Sequence, residues 1–113
     1  MTDIMERKSN NIRQLDDAFR QNFMGGQIVI TNGVNALSDI EKLRLFDLVK
    51  HFDDFNEDND PHGEHDFGCV PLQGKRYFWK IDYYDKDLLY HSPDPTNPEI
   101  TKRVMTIMRA EEH

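Results

Sequence analysis

The sequence predicts an α+β domain in which a small, mostly antiparallel sheet of about three strands packs with three helices. The predicted elements follow the order α-β-α-β-β-α, which lacks the regular strand and helix alternation of a parallel sheet. A chain of 113 residues is large enough for one modest hydrophobic core and too short for two. We therefore expect residues 1–113 to form a single domain, with the polar residues 1–9 as a flexible arm unless Ile4 and Met5 extend the first helix backward.

The first predicted helix begins at Asn10 or Asn11, either of which can cap a helix N-terminus. Its apolar residues recur at spacings of three and four and form one buried stripe: Ile12, Leu15, Phe19 and Phe23. Gly25 and Gly26 are expected to end the helix, because glycine readily adopts the left-handed conformation found at helix ends. The segment Gln27–Thr31, rich in β-branched residues, then predicts a short strand.

The second predicted helix begins at Asp39. Ser38 and Glu41 have the spacing of a capping box, in which each side chain accepts a hydrogen bond from the backbone of the other. The apolar residues of this helix form a broad stripe: Ile40, Leu43, Leu45, Phe46, Leu48, Val49 and Phe52. The helix is expected to end near Phe52, because the carboxylates that follow would oppose its dipole.

A β-hairpin is predicted after the acidic stretch. Its strands are Phe67–Leu72 and Lys75–Tyr84, joined by a two-residue turn at Gln73 and Gly74. Pro71 cannot donate to a neighbouring strand, so its strand should lie at an edge or a bulge of the sheet.

The register of this hairpin follows from the turn, since paired residue numbers then sum to 147. In that register Gly68 lies beneath Trp79 and makes room for the indole. The same register places His65 opposite Asp82, close enough for a hydrogen bond between imidazole and carboxylate.

The last predicted helix follows a polar connection, residues 85–98. Asn97 can cap it, and Pro98 suits its first position because the missing amide hydrogen is not needed there. Its buried stripe would consist of Ile100, Val104, Ile107 and Met108.

The negative charge of the chain is concentrated in one segment. The chain has 21 acidic and 14 basic residues, a net charge of −7, and the segment 51–74 contains seven of the acids and no Lys or Arg. The rest of the chain is therefore neutral. An acidic protein is a poor ligand for nucleic-acid phosphates, so we expect no direct nucleic-acid binding. The expected partners are a protein with a basic surface, a cation or a small molecule.

The sequence also indicates a cytoplasmic protein. The single cysteine, Cys69, excludes an intramolecular disulfide and suits a reducing compartment. No apolar run approaches the length of about 20 residues that a membrane span needs, and the first ten residues lack the apolar core of a signal peptide. We expect no membrane association, and no prediction arises for the oligomeric state.

A metal site is one hypothesis for the acidic segment. Within nine residues it contains two imidazoles and four carboxylates: Asp58, Asp60, His62, Glu64, His65 and Asp66. The candidate ligands are His62, His65, Asp60 and Asp82. Asp82 could instead orient His65 by accepting a hydrogen bond from its second ring nitrogen. Zinc, manganese or iron accept such ligands and could activate water for hydrolysis. Calcium fits less well, because the twelfth position of an EF-hand-like loop counted from Asp58 would be Cys69.

Two further interpretations of the segment need no metal. Asn, Asp, Pro and Gly residues form turns by themselves, so the segment could be an ordinary solvated loop. Alternatively, the carboxylates and the outward side of the second hairpin strand form a binding face. Its candidate residues are Asp53, Asp54, Glu57, Asp58, Asp60, Glu64, Lys80, Asp82 and Tyr84.

The sequence resembles a bacterial family of short proteins known only as a domain of unknown function. The resemblance rests on the runs FDDFNEDNDPHGEHDFG and FWKIDYYD, then SPDP and VMTIM, of which DNDPHGEHDFG is the most specific. Members of that family often occur on plasmids and other mobile elements, which implies an accessory or counter-defence role and no particular chemistry. The predicted function is therefore a small acidic protein that engages a macromolecule, with a metal-dependent hydrolase as the alternative.

Overall fold

The computed structural model describes residues 4–113. Its helices are α1 (Ile4–Asn22), α2 (Asn32–Asn35), α3 (Asp39–Lys50) and a terminal 3₁₀ helix (Ala110–Glu112). Its strands are β1 (Gln27–Ile30), β2 (Phe67–Leu72), β3 (Lys75–Tyr84) and β4 (Lys102–Arg109). The α+β class is confirmed, but the sheet has four strands where about three were predicted.

The four strands form one sheet in the order β1-β4-β3-β2. Strand β3 pairs antiparallel with both β2 and β4, whereas β1 runs parallel to β4. The sheet is thus mostly antiparallel, and its two edges are β1 and β2.

Helices α1 and α3 cover one face of the sheet. The buried side chains of β3 alternate along the strand and belong to the same apolar cluster as residues of both helices: Tyr77, Trp79, Ile81, Tyr83, Ile12, Phe19, Leu45 and Val49. The alternate residues of β3 are only half-buried, because they point to the other face of the sheet. The molecule therefore has two layers and one open sheet face.

Helix α3, the second helix that the sequence predicted, begins at Asp39 as expected. The Ser38 hydroxyl accepts a hydrogen bond from the Glu41 amide at 3.1 Å, and the Glu41 carboxylate accepts one from the Ser38 amide at 3.3 Å. The helix ends at Lys50, two residues before the predicted end. Its apolar stripe is narrower than expected, since Ile40 and Leu43 are 65% and 68% exposed.

The hairpin register is confirmed. Gly68 pairs with Trp79, and a Cβ atom at position 68 would lie 2.5 Å from the indole nitrogen. Gln73 and Gly74 both have positive φ angles, as a tight two-residue turn between twisted strands requires. Pro71 lies on an edge strand, also as predicted.

The predicted C-terminal helix is wrong. Residues 102–109 form β4, in which the buried residues alternate, and Ile100 is 39% exposed. The spacing of Val104, Ile107 and Met108 fits a helix, but Met105 and Ile107 also alternate as the buried side of a strand does, so the pattern alone was ambiguous. Pairing with β3 on one side and β1 on the other decided the outcome, aided by the β-branched residues in this segment. Asn97 caps no helix and instead accepts a hydrogen bond from the Glu99 amide at 2.9 Å.

The first helix starts earlier than the predicted Asn10 or Asn11, and residues 1–3 of the predicted arm lie outside the described part of the chain. Helix α1 begins at Ile4, because the good helix formers Met5 to Lys8 continue the helix backward from the amphipathic stripe. Asn10 is inside the helix and accepts a hydrogen bond from Arg13 at 2.6 Å. The left-handed residue just past the helix is Phe23, with φ 55°, ahead of the glycines.

Candidate functional site

The acidic loop, residues 53–66, connects α3 to β2 and is stabilised by hydrogen bonds of its own asparagine side chains. The Asn56 side chain accepts hydrogen bonds from the amides of Asp58 and Asn59 at 2.9 and 3.1 Å. The Asn59 side chain accepts from the Asn56 amide at 2.9 Å and donates to the Asp54 carbonyl at 2.8 Å. These are the side-chain turns that asparagine favours, and they fix the loop without any ligand.

Four carboxylates of this loop point outward and form what we call the outer acidic patch: Asp53, Asp54, Glu57 and Asp58. All four residues are exposed. Within residues 4–113, none of them forms an ion pair with a lysine, arginine or histidine. The negative potential of the patch is therefore left to solvent, counterions or a binding partner.

The other three carboxylates of the loop, Asp60, Glu64 and Asp66, are half-buried and turn inward. The Asp60 carboxylate accepts a hydrogen bond from the His65 amide at 3.1 Å. The Glu64 carboxylate lies 3.2 Å from the Tyr83 hydroxyl. The predicted binding face thus divides, because Asp60 contacts His65 within the loop and Glu64 contacts Tyr83 of β3, and neither carboxylate faces outward.

His65 fastens the loop to helix α1. Its Nδ1 atom lies 2.8 Å from the Asp17 carboxylate, and its Nε2 atom lies 3.6 Å from that of Asp60. The imidazole stacks on the Phe55 ring, with centroids 3.6 Å apart and planes 3° apart. His65 also has φ 56°, a left-handed conformation that is unusual for a residue other than glycine. The contacts of the His65 side chain with Asp17, Asp60 and Phe55 hold the residue in this left-handed conformation.

The predicted pairing of His65 with Asp82 is wrong. The ladder ends where the Ile81 amide donates to the Asp66 carbonyl at 2.8 Å, and the left-handed turn at His65 then carries its side chain to the helix-covered face. Asp82 points to the open face, 3.5 Å from Lys80. Tyr84 lies on the same open face as Lys80 and Asp82. These three residues are therefore separate from the outer acidic patch, and the binding face is smaller than the sequence suggested.

The predicted metal ligands do not converge either. His65 is occupied by Asp17 and Asp60, Asp82 is on the other face, and His62 is exposed beside Arg13. In the described part of the chain, no group of three or more His, Cys, Asp or Glu residues is arranged to hold a metal ion. Asp82 was included because the hairpin register was extended two residues beyond the strand, which begins at Phe67.

A buried polar cluster that sequence reasoning missed lies between α1 and the sheet. Asp16 is fully buried, and its carboxylate accepts hydrogen bonds from the Tyr83 hydroxyl at 2.5 Å and from Arg103 Nε at 2.9 Å. A signal was present, because Asp16 stands on the apolar stripe of α1, four residues after Ile12 and three before Phe19. An acid at a core position of a helix indicates a buried polar partner.

Burial raises the pKa of two carboxyl groups in this region. The pKa of Asp16 rises to about 7, because burial penalises its charge more than Tyr83 and Arg103 stabilise it. The pKa of Asp66 rises to about 6, mainly through burial and then through repulsion by Glu64. Burial, followed by the charge of Asp16, also raises the pKa of the Tyr83 hydroxyl, so this group remains a donor.

A groove of about 320 Å³ adjoins the outer acidic patch, between the end of α3 and strand β2. We call it the α3–β2 groove; its lining residues are Asp47, Leu48, His51, Phe52, Asp53, Asp54, Cys69, Val70 and Pro71. Leu48, Phe52 and Val70 give it an apolar floor. Asp53 and Asp54 belong both to the groove and to the patch, so one ligand could contact both.

Comparison with known families gives one match. Residues 30–112 match the family described as "Protein of unknown function (DUF3768)". The chain belongs to this family. The predicted membership in a family of unknown function is thereby confirmed, and the match includes α3, the acidic loop and strands β2 to β4. Helix α1, which supplies Asp16 and Asp17, lies outside the matched residues.

No curated protein and no solved structure matches this chain. None of the helices within residues 4–113 combines the length and the apolar character needed to cross a membrane.

Proposed function

We propose that this protein is a small acidic binding protein that engages a partner protein with a basic surface through the outer acidic patch. The observation that carries the proposal is the state of Asp53, Asp54, Glu57 and Asp58, which are exposed and form no ion pair in the part of the chain that the structure describes. Four like charges held on one ordered loop repel each other, and a basic partner relieves that repulsion.

The physical chemistry of such a patch favours fast and salt-sensitive association. Complementary charge steers two proteins together before they touch, and ions in solution screen this effect beyond about 8 Å at physiological salt. The loop is already fixed by Asn56, Asn59 and His65, so little conformational entropy is lost when a partner binds.

The setting we propose is the cytoplasm, in an accessory or counter-defence role for a mobile element. This part of the proposal rests on the single cysteine and on the motifs DNDPHGEHDFG and FWKIDYYD, which resemble those of a bacterial family found on such elements.

A pair of variants with the same change in net charge tests the proposal. Glu57→Gln with Asp58→Asn removes two charges from the patch, whereas Asp87→Asn with Glu99→Gln removes two exposed charges elsewhere. Binding to an array of lysine-rich peptides should weaken several-fold for the first variant and stay near wild type for the second. Equal effects of the two variants would mean that net charge alone governs binding, and the proposal would fail.

A further inference from the structure

Strand β2 presents a free edge beside the α3–β2 groove. It is the last strand of the sheet and pairs only with β3 among the strands of residues 4–113. The two-residue turn makes Leu72 and Lys75 the closing hydrogen-bonded pair, so Leu72, Val70 and Gly68 direct their backbone groups toward β3. The hydrogen bond from the Ile81 amide to the Asp66 carbonyl continues the same alternation.

The alternate residues of β2 therefore direct their backbone groups away from the sheet. These residues are Phe67, Cys69 and Pro71. They offer three carbonyl acceptors and two amide donors, because proline has no amide hydrogen. Unpaired backbone groups of this kind form a template on which another extended chain can add as a strand.

The α3–β2 groove gives such a chain a place to bind. Its wall on the helix side comes from the end of α3 and the residues after it, and its wall on the sheet side comes from Cys69, Val70 and Pro71. A groove between a helix and a strand edge accommodates an extended peptide, which pairs through its backbone and places alternate side chains in the groove.

The charge of the groove selects the kind of peptide. Its rim contains three exposed carboxylates, those of Asp47, Asp53 and Asp54, and no Lys or Arg lines it. Within residues 4–113, the one ion pair of the Asp47 carboxylate is with His51, whose Nδ1 atom lies 3.3 Å away. A peptide with lysine or arginine at some positions and apolar residues at others complements both the rim and the apolar floor.

We propose that the α3–β2 groove binds an extended, basic segment of the partner protein, which pairs with the free edge of β2 as a fifth strand of the sheet. The inference rests on the proposed function, since the peptide and the outer acidic patch share Asp53 and Asp54. It adds that the ligand is an extended segment and that β2 is the strand that pairs with it. It also limits the length of the paired segment, because Pro71 has no amide hydrogen and ends the row of backbone donors.

The test uses an acetylated hexapeptide of alternating lysine and valine and two of its N-methylated forms. One form is methylated on the three lysine amides and the other on the three valine amides. Strand addition uses only one edge of the peptide, so one form should lose at least about tenfold in affinity while the other binds nearly as well as the parent. This comparison leaves the protein unchanged, so misfolding cannot produce the difference.

Hydrogen exchange locates the pairing. The amides of Phe67 and Cys69 should exchange more slowly when the parent peptide is bound, whereas amides of β1, the other edge, should be unaffected. A dimer in which the Phe67 and Cys69 amides are protected before any peptide is added would overturn the proposal, because a second copy would then occupy the edge.

The two proposals fail in different ways. If both N-methylated peptides bind like the parent, while neutralising Glu57 and Asp58 still weakens binding, the partner uses the charge patch and strand addition is wrong. If the variant at Glu57 and Asp58 binds like the control at Asp87 and Glu99, the proposed function itself is wrong. If the unmethylated lysine–valine peptide does not bind the wild-type protein at all, both proposals are wrong.

Discussion

At the scale of single residues, His65 explains how an acidic loop can be rigid. Its imidazole bridges toward two carboxylates, Asp17 at 2.8 Å and Asp60 at 3.6 Å, and stacks on Phe55. This one side chain ties the loop to α1. The outer carboxylates are then presented on a fixed backbone, which is what a binding surface requires.

We predict that His65→Ala lowers the free energy of unfolding by about 1–3 kcal/mol, through the lost hydrogen bond to Asp17 and the lost stacking on Phe55. Urea unfolding measures this change. His65→Asn serves as a partner variant, because asparagine tolerates the left-handed backbone and so separates loss of the ring from backbone strain. His62→Ala, an exposed control in the same loop, should change stability by less than about 0.5 kcal/mol.

Gly68 provides a second prediction at this scale. A valine side chain at this position would overlap the Trp79 indole, whose nitrogen would lie 2.5 Å from the new Cβ atom. Gly68→Val should therefore destabilise the protein by about 1–3 kcal/mol through overpacking. If the variant has the same melting temperature as the wild type, the close approach of β2 to Trp79 is not needed for stability.

At the scale of elements, the sequence predicted those segments whose signals are local. The capping box at Ser38 fixed the start of α3, and the turn at Gln73 and Gly74 fixed the hairpin register. Strand β4 escaped prediction because its apolar spacing fits a helix as well, and only its pairing with β1 and β3 decides between them. The fastening of the loop by Asp17 also escaped, since that contact joins residues 48 positions apart.

The same division holds for the candidate site. The outer acidic patch could be read from composition, because clustered carboxylates without bases are visible in the sequence alone. The place of Asp82 in the metal hypothesis depended on His65 facing it, and that required strand geometry at a residue which instead has φ 56°. Sequence patterns give no reliable sign of such a left-handed residue when it is not glycine.

We predict that chelation leaves the acidic loop and the fold intact. Hydrogen bonds from Asn56, Asn59 and His65 already hold the loop, and bound metal would otherwise add to stability in proportion to its affinity. Melting curves with and without EDTA should coincide. A lower melting temperature in EDTA, together with one metal ion per chain in the untreated protein, would restore the metal-site hypothesis.

At the scale of the whole molecule, the fold withdraws some carboxyl groups from water, among them Asp16 and Asp66, and leaves those of the outer acidic patch exposed. Asp16 and Asp66 have pKa values raised to about 7 and about 6, from an ordinary value of 3.8. Between pH 4 and 7 the folded state therefore holds protons that the unfolded state has released. Stability must fall as pH rises through this range.

We accordingly predict a larger free energy of unfolding at pH 5 than at pH 7.5, measured by urea titration at constant ionic strength. Asp66→Asn should make the dependence on pH shallower, because the group at position 66 then no longer titrates. A free energy of unfolding that rises from pH 5 to pH 7.5 would contradict this assignment of buried, proton-holding carboxyl groups.

The central claim is that the outer acidic patch binds a partner and is separable from the fold. The most direct measurement is the dependence of peptide affinity on salt, using the lysine–valine hexapeptide, for the wild type and for a variant with Asp53, Asp54 and Asp58 changed to Asn and Glu57 changed to Gln. We expect this variant to be as stable as the wild type or more stable, to bind more weakly, and to lose most of the salt dependence. An unfolded variant, or one that keeps the wild-type affinity and salt dependence, would contradict the account.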